Sequence, residues 1–376
     1  MTPSRSIPTV EYKDWSSRIF FGSLARGQVI RAQMELTYRC NLRCRHCYTD
    51  CYNGPEHFPK EMTTPEIVRI LAEMADLGVL WLNFTGGEVF MHRDFFEIYD
   101  EACRKGFIIT LFTNATLLTS ETIARLARRP PFFLDISCHS VDEDAFDRFT
   151  EVPGSFRKFL DGMERLKGSG IPFRLKTKAM SWNKAEIPRI KAFVESFGLP
   201  FGFTTGLSPR LDGDLAPLSL RLSPEEISEL ETLEERWTEE PEACQDRAPS
   251  GQDQIAAPTE RLYRCGCATN TIHVNAWGEL GACTMEYERR ASLRTHSLEE
   301  AVAKVFGEVR TLRYRTDSPC RACPLFAYCE KSPTSFRQQV GDPEAPIRYY
   351  CDVALNRAER ATQRPLAHPL GGFSDD

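Results

Sequence analysis

The sequence predicts an α/β fold, a partial (β/α)6 barrel followed by a cysteine-rich C-terminal domain. Three observations predict it. Apolar runs typical of buried strands alternate six times with helical patterns between residues 29 and 206. This alternation is typical of parallel strands joined by right-handed helical crossovers, with the functional site at the carboxyl ends of the strands. After residue 261 the pattern stops, and half of the 14 cysteines follow.

The six predicted units follow one another in chain order. The first helix begins after Thr64, which we interpret as its N-cap because Pro65 follows at the first helical position. It ends at Gly78, since glycine favours the left-handed conformation of a helix C-terminus. The predicted strands cover residues 29–36, 79–84, 107–112, 132–138, 173–180 and 200–205. The predicted helices cover residues 65–77, 94–105, 120–128, 142–149, 155–167 and 183–197.

Changes in composition divide the chain into five parts. Prolines and glycines flank an acidic helical pattern at 224–240, and a linker-like segment follows at 243–257. The polar end of the chain predicts a flexible tail. The predicted parts are an N-terminal extension (1–28), the partial barrel (29–206), a helical segment and linker (207–260), the cysteine-rich domain (261–355) and the tail (356–376).

Bulk composition argues against several classes of protein. The formal net charge of −6 gives no support for a nucleic-acid-binding surface. The sequence contains no run of 18 apolar residues that would predict a membrane span. Residues 1–18 also lack the apolar core of a signal peptide. In a chain of this length without such a signal, 14 cysteines indicate metal binding in a reducing compartment rather than disulfides. We therefore expect a cytoplasmic protein.

Three closely spaced cysteines follow the first predicted strand. Cys40, Cys44 and Cys47 are separated by three and two residues, so their loop can wrap three thiols around one face of an iron–sulfur cube. A cluster with three protein ligands leaves one iron free to bind a small chelating molecule. Structural zinc sites instead use four closed ligands, usually as two pairs of cysteines. The spacing therefore favours an iron–sulfur cluster over a zinc knuckle.

This cysteine spacing resembles that of the radical SAM enzymes. The resemblance implies a [4Fe–4S] cluster on these three cysteines and S-adenosylmethionine (SAM) on its open iron. It also implies that one electron from the cluster cleaves the sulfonium to give a 5′-deoxyadenosyl radical. His46 stands where the family usually carries an aromatic residue. The family fold is a partial barrel, in agreement with the strand and helix pattern.

Further candidate SAM-binding residues follow three later strands. Gly86, Gly87 and Glu88 come after the second strand, where glycine permits close approach and a carboxylate can accept from an ammonium group. The resemblance implies that they hold the amino group of SAM. It also implies that Asn114 shapes the adenosyl pocket and that Ser137 binds a ribose hydroxyl. A purely structural role for these two residues is the alternative.

The C-terminal cysteines resemble those of a SPASM domain, which binds auxiliary iron–sulfur clusters in peptide-modifying radical SAM enzymes. The resemblance implies one or two such clusters, with a zinc ribbon as the alternative. Cys320, Cys323, Cys329 and Cys351 match the complete ligand set of the second cluster. The set that remains for the first cluster is Cys265, Cys267 and Cys283.

The chain departs from the SPASM pattern at one position. Pro333 stands where the family has a cysteine that completes the first auxiliary cluster. Three hypotheses follow: an open iron that binds substrate, a smaller or substituted cluster, or no first cluster. Four further thiols have no cluster assignment, although one near the radical could donate a hydrogen atom. They are Cys51, Cys103, Cys138 and Cys244.

The resemblance implies an oxidoreductase that modifies a ribosomally made peptide or protein, by a crosslink or another oxidative change. It also implies an electron donor such as flavodoxin or ferredoxin. With fewer than 40 residues before Cys40, we expect a separate peptide-recognition protein or direct binding by the barrel mouth and the SPASM domain. The alternatives are a sulfatase-maturing enzyme, a peptide epimerase and a non-catalytic electron-transfer partner. Thr284 counts against sulfatase maturation, where an aspartate is expected.

Overall fold

The computed structural model describes residues 11–233 and 260–371, and its centre is one twisted sheet. The order of the strands is β6-β5-β4-β3-β2-β1-β7-β8-β9. Strands β1 to β7 run parallel to one another, whereas β8 and β9 continue from β7 as an antiparallel meander. The strands are β1 Arg31–Thr37, β2 Trp81–Gly86, β3 Ile108–Thr113, β4 Phe133–Ser137, β5 Phe173–Lys178, β6 Phe203–Thr204, β7 Thr271–Val274, β8 Glu279–Gly281 and β9 Arg290–Ser292.

Helices connect the first six strands as the sequence pattern predicted. The six parallel strands with intervening helices confirm the predicted partial (β/α)6 barrel. The helices of the described residues are α1 Tyr12–Arg26, α2 Thr64–Leu77, α3 Phe95–Arg104, α4 Ser120–Arg128, α5 Glu143–Thr150, α6 Ser155–Leu166, α7 Ile187–Glu195, α8 Pro224–Glu231, α9 Leu298–Thr311, α10 Pro333–Val340 and α11 Arg348–Thr362.

The start of α2 differs by one residue from the sequence prediction. Thr63, not Thr64, is the N-cap, because Thr63 and Glu66 form a reciprocal capping box. Two adjacent threonines made this choice ambiguous in the sequence. Gly78 ends the helix in the left-handed conformation, as predicted.

The C-terminal region extends the barrel sheet. Strand β7 pairs in parallel with β1, and Gln33 lies opposite His273 in this register. A turn at Gly278, with φ of 78°, then leads into the antiparallel strand β8. Cys283 follows β8 directly, so the β1–β7 pairing holds the C-terminal cysteine region against the barrel. Periodicity within the barrel gave no sign of this pairing.

The C-terminal helix extends further than the sequence predicted. Helix α11 continues to Thr362, past the boundary at 355 and into the predicted flexible tail. Its Arg357 is buried and pairs with Glu231 of α8 at 2.7 Å and with Glu330 at 3.0 Å. This ion-pair network explains why polar composition misled the tail prediction. The predicted linker and the acidic pattern beyond residue 233 lie outside the described residues.

Helix α1 occupies part of the predicted N-terminal extension. It lies against the amino ends of the barrel strands, where the ring centroids of Tyr12 and Phe132 are 4.8 Å apart. Trp15 packs against Trp81 of β2 with its ring centroid 5.6 Å away. The helix therefore covers the end of the barrel that is remote from the carboxyl ends of the strands.

Within residues 11–233 and 260–371, none of the helices combines the length and the apolar character that crossing a bilayer requires.

We expect Gly162→Ala to destabilise the fold. A Cβ atom at Gly162 in α6 would lie 2.2 Å from the backbone oxygen of Ala115, in the loop after β3. Overpacking of this kind costs about 1–3 kcal/mol of unfolding free energy. Urea denaturation followed by circular dichroism measures the change.

Gly307→Ala is the matched control for this prediction. Gly307 lies within α9, is exposed, and has no atom within 4 Å of an added Cβ. Replacing glycine by alanine inside a helix should raise the unfolding free energy by about 0.5–1 kcal/mol. Equal effects of the two substitutions would contradict the close contact at Gly162.

Candidate active site

The predicted radical SAM site residues, except Glu88, meet in a cavity of about 840 Å³ at the carboxyl ends of the barrel strands. The loop after β1 contributes the three thiols of Cys40, Cys44 and Cys47. Residues that follow or end three other strands complete this wall of the cavity. They are Gly86 and Gly87 after β2, Asn114 after β3 and Ser137 at the end of β4.

Backbone and amide hydrogen bonds hold the cysteine loop in place. The side chain of Asn53 accepts from the backbone N–H of Cys40 at 3.0 Å and donates to its carbonyl at 3.0 Å. The N–H groups of Arg43 and Arg45 donate to the carbonyls of Thr150 and Phe149, at 2.9 and 3.2 Å. The end of α5 therefore anchors the middle of the loop.

The three thiols suit an iron–sulfur cluster chemically. Burial raises the pKa of Cys40 to about 12, raises that of Cys44 well above its usual value and also raises that of Cys47. Without a positive partner these thiols would remain protonated, and iron supplies the charge that stabilises thiolates. Among the described residues, no three acidic, histidine or cysteine side chains converge on a point suited to one metal ion. Each cysteine of a four-iron cluster instead binds a different iron.

Glycine is required at two positions where strand β2 meets the cysteine loop. A Cβ atom at Gly86 would lie 2.2 Å from the backbone oxygen of Thr37, and one at Gly87 would lie 2.3 Å from that of Arg39. Gly86 also has φ of 130°, in the region that favours glycine. The sequence predicts that these glycines permit close approach of a ligand. The structure adds that the loop's own backbone already occupies the space beside them.

Glu88 lies behind the cavity wall. Its carboxylate accepts from the hydroxyl of Thr113 and from the backbone N–H of Asn114, both at 2.8 Å. Burial raises the pKa of Glu88 to about 7. These contacts make Glu88 a positioning residue for the loop after β3, and its predicted bond to the amino group of SAM remains a prediction.

Asn114 connects the loop after β3 to the cysteine loop. Its side-chain amide donates to Asn41 Oδ1 at 3.1 Å and lies 3.9 Å from the sulfur of Cys40. Hydrogen bonds to ligand sulfurs tune the reduction potential of iron–sulfur clusters. Ala115, where the family usually has glycine, adopts φ of 62°, in the left-handed region.

An aromatic wall lies beside the thiols. The ring of His46 stacks on Phe149 with centroids 5.1 Å apart, and Phe149 stacks on Trp182 at 4.3 Å. The ring of His139 meets His46 edge-on at 4.8 Å. Burial lowers the pKa of His46 well below its usual value and that of His139 to about 3, so both rings are neutral. His46 thus supplies the flat ring expected at its position.

Ser137 is exposed and lines the cavity at the end of β4. Its register partner on β5 is Lys176. The neighbouring Cys138 is fully buried, in agreement with its default assignment as a structural thiol. Cys51 and Cys103 are partly buried, and Cys244 lies outside the described residues.

The C-terminal cysteines form two groups. Cys267 interacts through side-chain hydrogen bonds with both Cys265 and Cys283. These bonds lower the pKa of Cys265 to about 7 and also lower that of Cys283. The other group is linked by charge interactions among its thiols and consists of Cys320, Cys323, Cys329 and Cys351. The two groups contain the residues that the family resemblance assigns to the first and second auxiliary clusters, and those ligand sets remain predictions.

Sequence reasoning missed the residues that orient the site. Glu61 accepts from the hydroxyl of Thr37 at 2.6 Å and from the N–H of Tyr38 at 2.8 Å. Asn53 has the same kind of role for Cys40. Both follow the cysteines in a segment without helical or strand periodicity, and no spacing in the sequence signals their contacts.

The fold and the cysteine loop define the class of proteins that hold a [4Fe–4S] cluster and SAM at the mouth of a partial barrel. Residues 34–181 match the family model described as the Radical SAM superfamily. The chain therefore carries a radical SAM domain. This confirms the family that the cysteine spacing predicted.

Three similar curated proteins illustrate the range of relatives. An AdoMet-dependent heme synthase from Nitratidesulfovibrio vulgaris is 30% identical over 47% of this chain and 50% of its own length. The subtilosin biosynthesis protein AlbA from Bacillus subtilis is 33% identical over 45% of this chain and 37% of its own. A PqqA peptide cyclase from Bradyrhizobium diazoefficiens is 31% identical over 42% of this chain and 41% of its own length. The chain thus spans half or less of the length of these relatives.

Solved structures resemble the fold over most of the chain. SuiB from Streptococcus suis, bound to S-adenosylmethionine, gives a TM-score of 0.63 at 15% identity, covering 92% of this chain and 82% of that one. Native anSMEcpe with bound AdoMet and the Cp18Cys peptide gives a TM-score of 0.65 at 16% identity. The match covers 89% of this chain and 97% of that one. At this level of identity the likeness establishes the fold.

We expect Asn53→Ala to weaken assembly of the cluster at the cysteine loop. The substitution removes the side-chain bonds to both backbone groups of Cys40, a loss of about 1–3 kcal/mol of loop ordering. Anaerobic reconstitution followed by electron paramagnetic resonance, with and without SAM, measures the SAM-responsive cluster.

Asn356→Ala, in α11, is the control because no hydrogen bond to the cysteine loop involves that side chain. Full retention of the SAM-responsive signal in the Asn53 variant would contradict the anchoring role.

Proposed function

We propose that the protein is a radical SAM enzyme that abstracts a hydrogen atom from a ribosomally made peptide or protein and modifies it oxidatively. The observation that carries the proposal is that the three-thiol loop and the candidate SAM residues Gly87, Asn114 and Ser137 share one cavity. The names of several similar proteins point in the same direction, since AlbA acts in bacteriocin biosynthesis and the PqqA cyclase acts on a peptide.

The chain's own residues prepare the cavity for radical chemistry. When bound, the cluster and SAM supply a 5′-deoxyadenosyl radical. Cys40, Cys44 and Cys47 would hold the cluster, and Ser137 and Asn114 would contact SAM. The buried rings of His46 and Phe149 shield this end of the cavity from water, which protects a reactive intermediate from side reactions.

The C-terminal thiols would hold the auxiliary clusters. Cys320, Cys323, Cys329 and Cys351 would provide four ligands for one cluster. The other group would provide Cys265, Cys267 and Cys283, with no fourth cysteine assigned to it among residues 11–233 and 260–371. Pro333, at the position of the missing ligand, begins helix α10 and is buried. The proposal favours an open or substituted first cluster, since Cys267 interacts with both Cys265 and Cys283.

The partners of the reaction are also proposed. A peptide would bind at the barrel mouth and the C-terminal domain, or a separate peptide-recognition protein would present it. SuiB bound to its precursor peptide and anSMEcpe bound to a peptide have the same fold as this chain. A flavodoxin or ferredoxin would supply electrons. The proposed cytoplasmic location suits 13 cysteines that are free thiols in the described residues.

A tetrapyrrole substrate is the second candidate. AdoMet-dependent heme synthases match the barrel region at identities similar to those of the peptide-modifying relatives. The proposal of a peptide substrate rests on the C-terminal cysteine groups, whose pattern resembles that of peptide maturases. Mass spectrometry of a co-expressed peptide library, compared with assays on iron coproporphyrin III, separates the two candidates.

Cys44→Ala should abolish the reductive cleavage of SAM. Cys44 is a buried member of the three-thiol loop, and its loss leaves too few ligands for a cluster with one open iron. Formation of 5′-deoxyadenosine from SAM and dithionite, measured by liquid chromatography, tests this expectation.

Cys103→Ala should keep wild-type cleavage in the same assay, because Cys103 lies at the end of α3 outside the cavity. Persistent cleavage by the Cys44 variant would overturn the central assignment.

The iron content tests the auxiliary sites. We expect about eight to twelve irons per anaerobically reconstituted chain, since the radical SAM cluster and the complete second site hold about four each. Cys329→Ala should lower the total by about four, and the matched Cys51→Ala should leave it unchanged. A wild-type total of about four irons would contradict both auxiliary clusters.

A further inference from the structure

The inner face of strand β5 presents positive charge to the cavity. Arg174 and Lys176 line the cavity, and their side chains are 49% and 48% exposed. They are two residues apart on one strand, so both side chains point to the same face of the sheet. In the sheet order, β5 lies four strands away from β1 and the cysteine loop.

A single buried carboxylate holds these two cations in place. Arg174 donates to Asp135 through two bonds of 2.8 and 2.9 Å, and Lys176 Nζ lies 2.5 Å from the same carboxylate. The side chain of Asp135 is only 1% exposed. Phe133 and Phe112 lie beneath the two cationic groups at 4.5 and 4.1 Å, which restricts their orientation further.

The charges at this position do not balance. Two cations share one anion, so the Asp135 cluster carries a surplus positive charge. Among the described residues that line the cavity, none is an aspartate or a glutamate. Lys178, the next residue on the same face, does not add to this surplus, because it is largely buried, donates to the carbonyl of Gly206 and interacts with the carboxylate of Glu330. The accessible cations of Arg174 and Lys176 therefore face a cavity wall without a compensating carboxylate.

SAM does not account for this charge. In the family, the amino and carboxylate groups of SAM bind the open iron, and here that iron would lie at the loop after β1. Ser137, the candidate ribose contact, is the register neighbour of Lys176. The cation pair thus lies on the strand next to the candidate ribose contact and four strands away from the cysteine loop, where a substrate carboxylate could bind it.

We propose that Arg174 and Lys176 form a carboxylate-binding subsite that orients the substrate in this cavity. This inference rests on the proposed function and specifies its substrate class: a molecule with a carboxylate near the carbon that reacts. An acidic side chain of a peptide and a propionate of a tetrapyrrole share this chemistry. The planar guanidinium and the compact ammonium give one fixed and one adaptable donor for that group.

Direct binding to SAM-loaded, anaerobically reconstituted protein tests the subsite. The probes are N-acetylated, C-terminally amidated pentapeptides that differ only at a central Asp, Glu, Asn or Gln, together with iron coproporphyrin III. We expect the acidic peptides to bind about twofold to fivefold more tightly than their amide counterparts, the range of a partly exposed ion pair. Tighter binding of the tetrapyrrole alone would identify its propionates as the source of the carboxylate.

Three variants connect that preference to the cation pair. Lys176→Gln should remove most of the preference, and Lys176→Arg should restore it. Lys158→Gln, on the exposed face of α6, is the matched control and should leave the preference unchanged. Lys176 is half exposed, so its substitution leaves Asp135 paired with Arg174 and the strand intact.

The outcomes separate this inference from the proposed function. Wild-type protein that cleaves SAM but shows no carboxylate preference, or whose preference survives Lys176→Gln, overturns the subsite alone. The same holds if Lys176→Gln weakens SAM binding while the peptide and tetrapyrrole affinities stay equal to the wild type. Absence of SAM cleavage in the wild-type protein counts instead against the proposed function.

Discussion

The close backbone contact between the end of β2 and the cysteine loop is the constraint on which the site depends. The N–H groups of Gly87 and Glu88 donate to the carbonyls of Thr37 and Arg39, both at 2.8 Å. Side chains at Gly86 or Gly87 would collide with the same backbone. This contact fixes where the three thiols emerge relative to the cavity. It also brings Glu88 to the loop after β3, so one junction positions residues from three strands.

A second junction joins the barrel to the C-terminal domain. Glu35 on β1 is fully buried and accepts from the hydroxyls of Tyr38 and Tyr48 at 2.9 and 3.1 Å. Tyr48 follows Cys47, and His273 on β7 lies 3.5 Å from the same carboxylate. The polar core of the β1–β7 pair thus contacts the cysteine loop on one side and the strand that precedes Cys283 on the other.

Local pattern was sufficient for the barrel and for the residues that line the cavity. Apolar residues repeat with a different spacing in strands and in helices, so each element can be identified from the sequence. The pattern therefore locates the strand ends that carry Cys40, Gly87, Asn114 and Ser137. The carboxyl ends of parallel strands meet at one edge of the sheet, so these residues had to converge. The end of the C-terminal domain was harder to predict, because the extent of α11 depends on the contact of Arg357 with Glu231, 126 residues away.

Long-range contacts without a periodic signal could not be predicted. The bonds of Asn53 and Glu61 to the cysteine loop, and the pairing of β1 with β7, arise only after the chain has folded. The surplus charge on β5 is a further example, since Arg174 and Lys176 read as ordinary surface residues until Asp135 is placed between them. Their grouping depends on strand register, which the sequence does not encode locally.

The β1–β7 pairing has a consequence for the modular description of this protein. If the C-terminal half were removed, the backbone groups of β1 that bond β7 would become an open sheet edge next to the cysteine loop. Such an edge is a template for association with other chains. The radical SAM portion, expressed alone, would therefore tend to associate through this edge. Combining it with the C-terminal half of a relative would require a strand that can pair with β1 as β7 does.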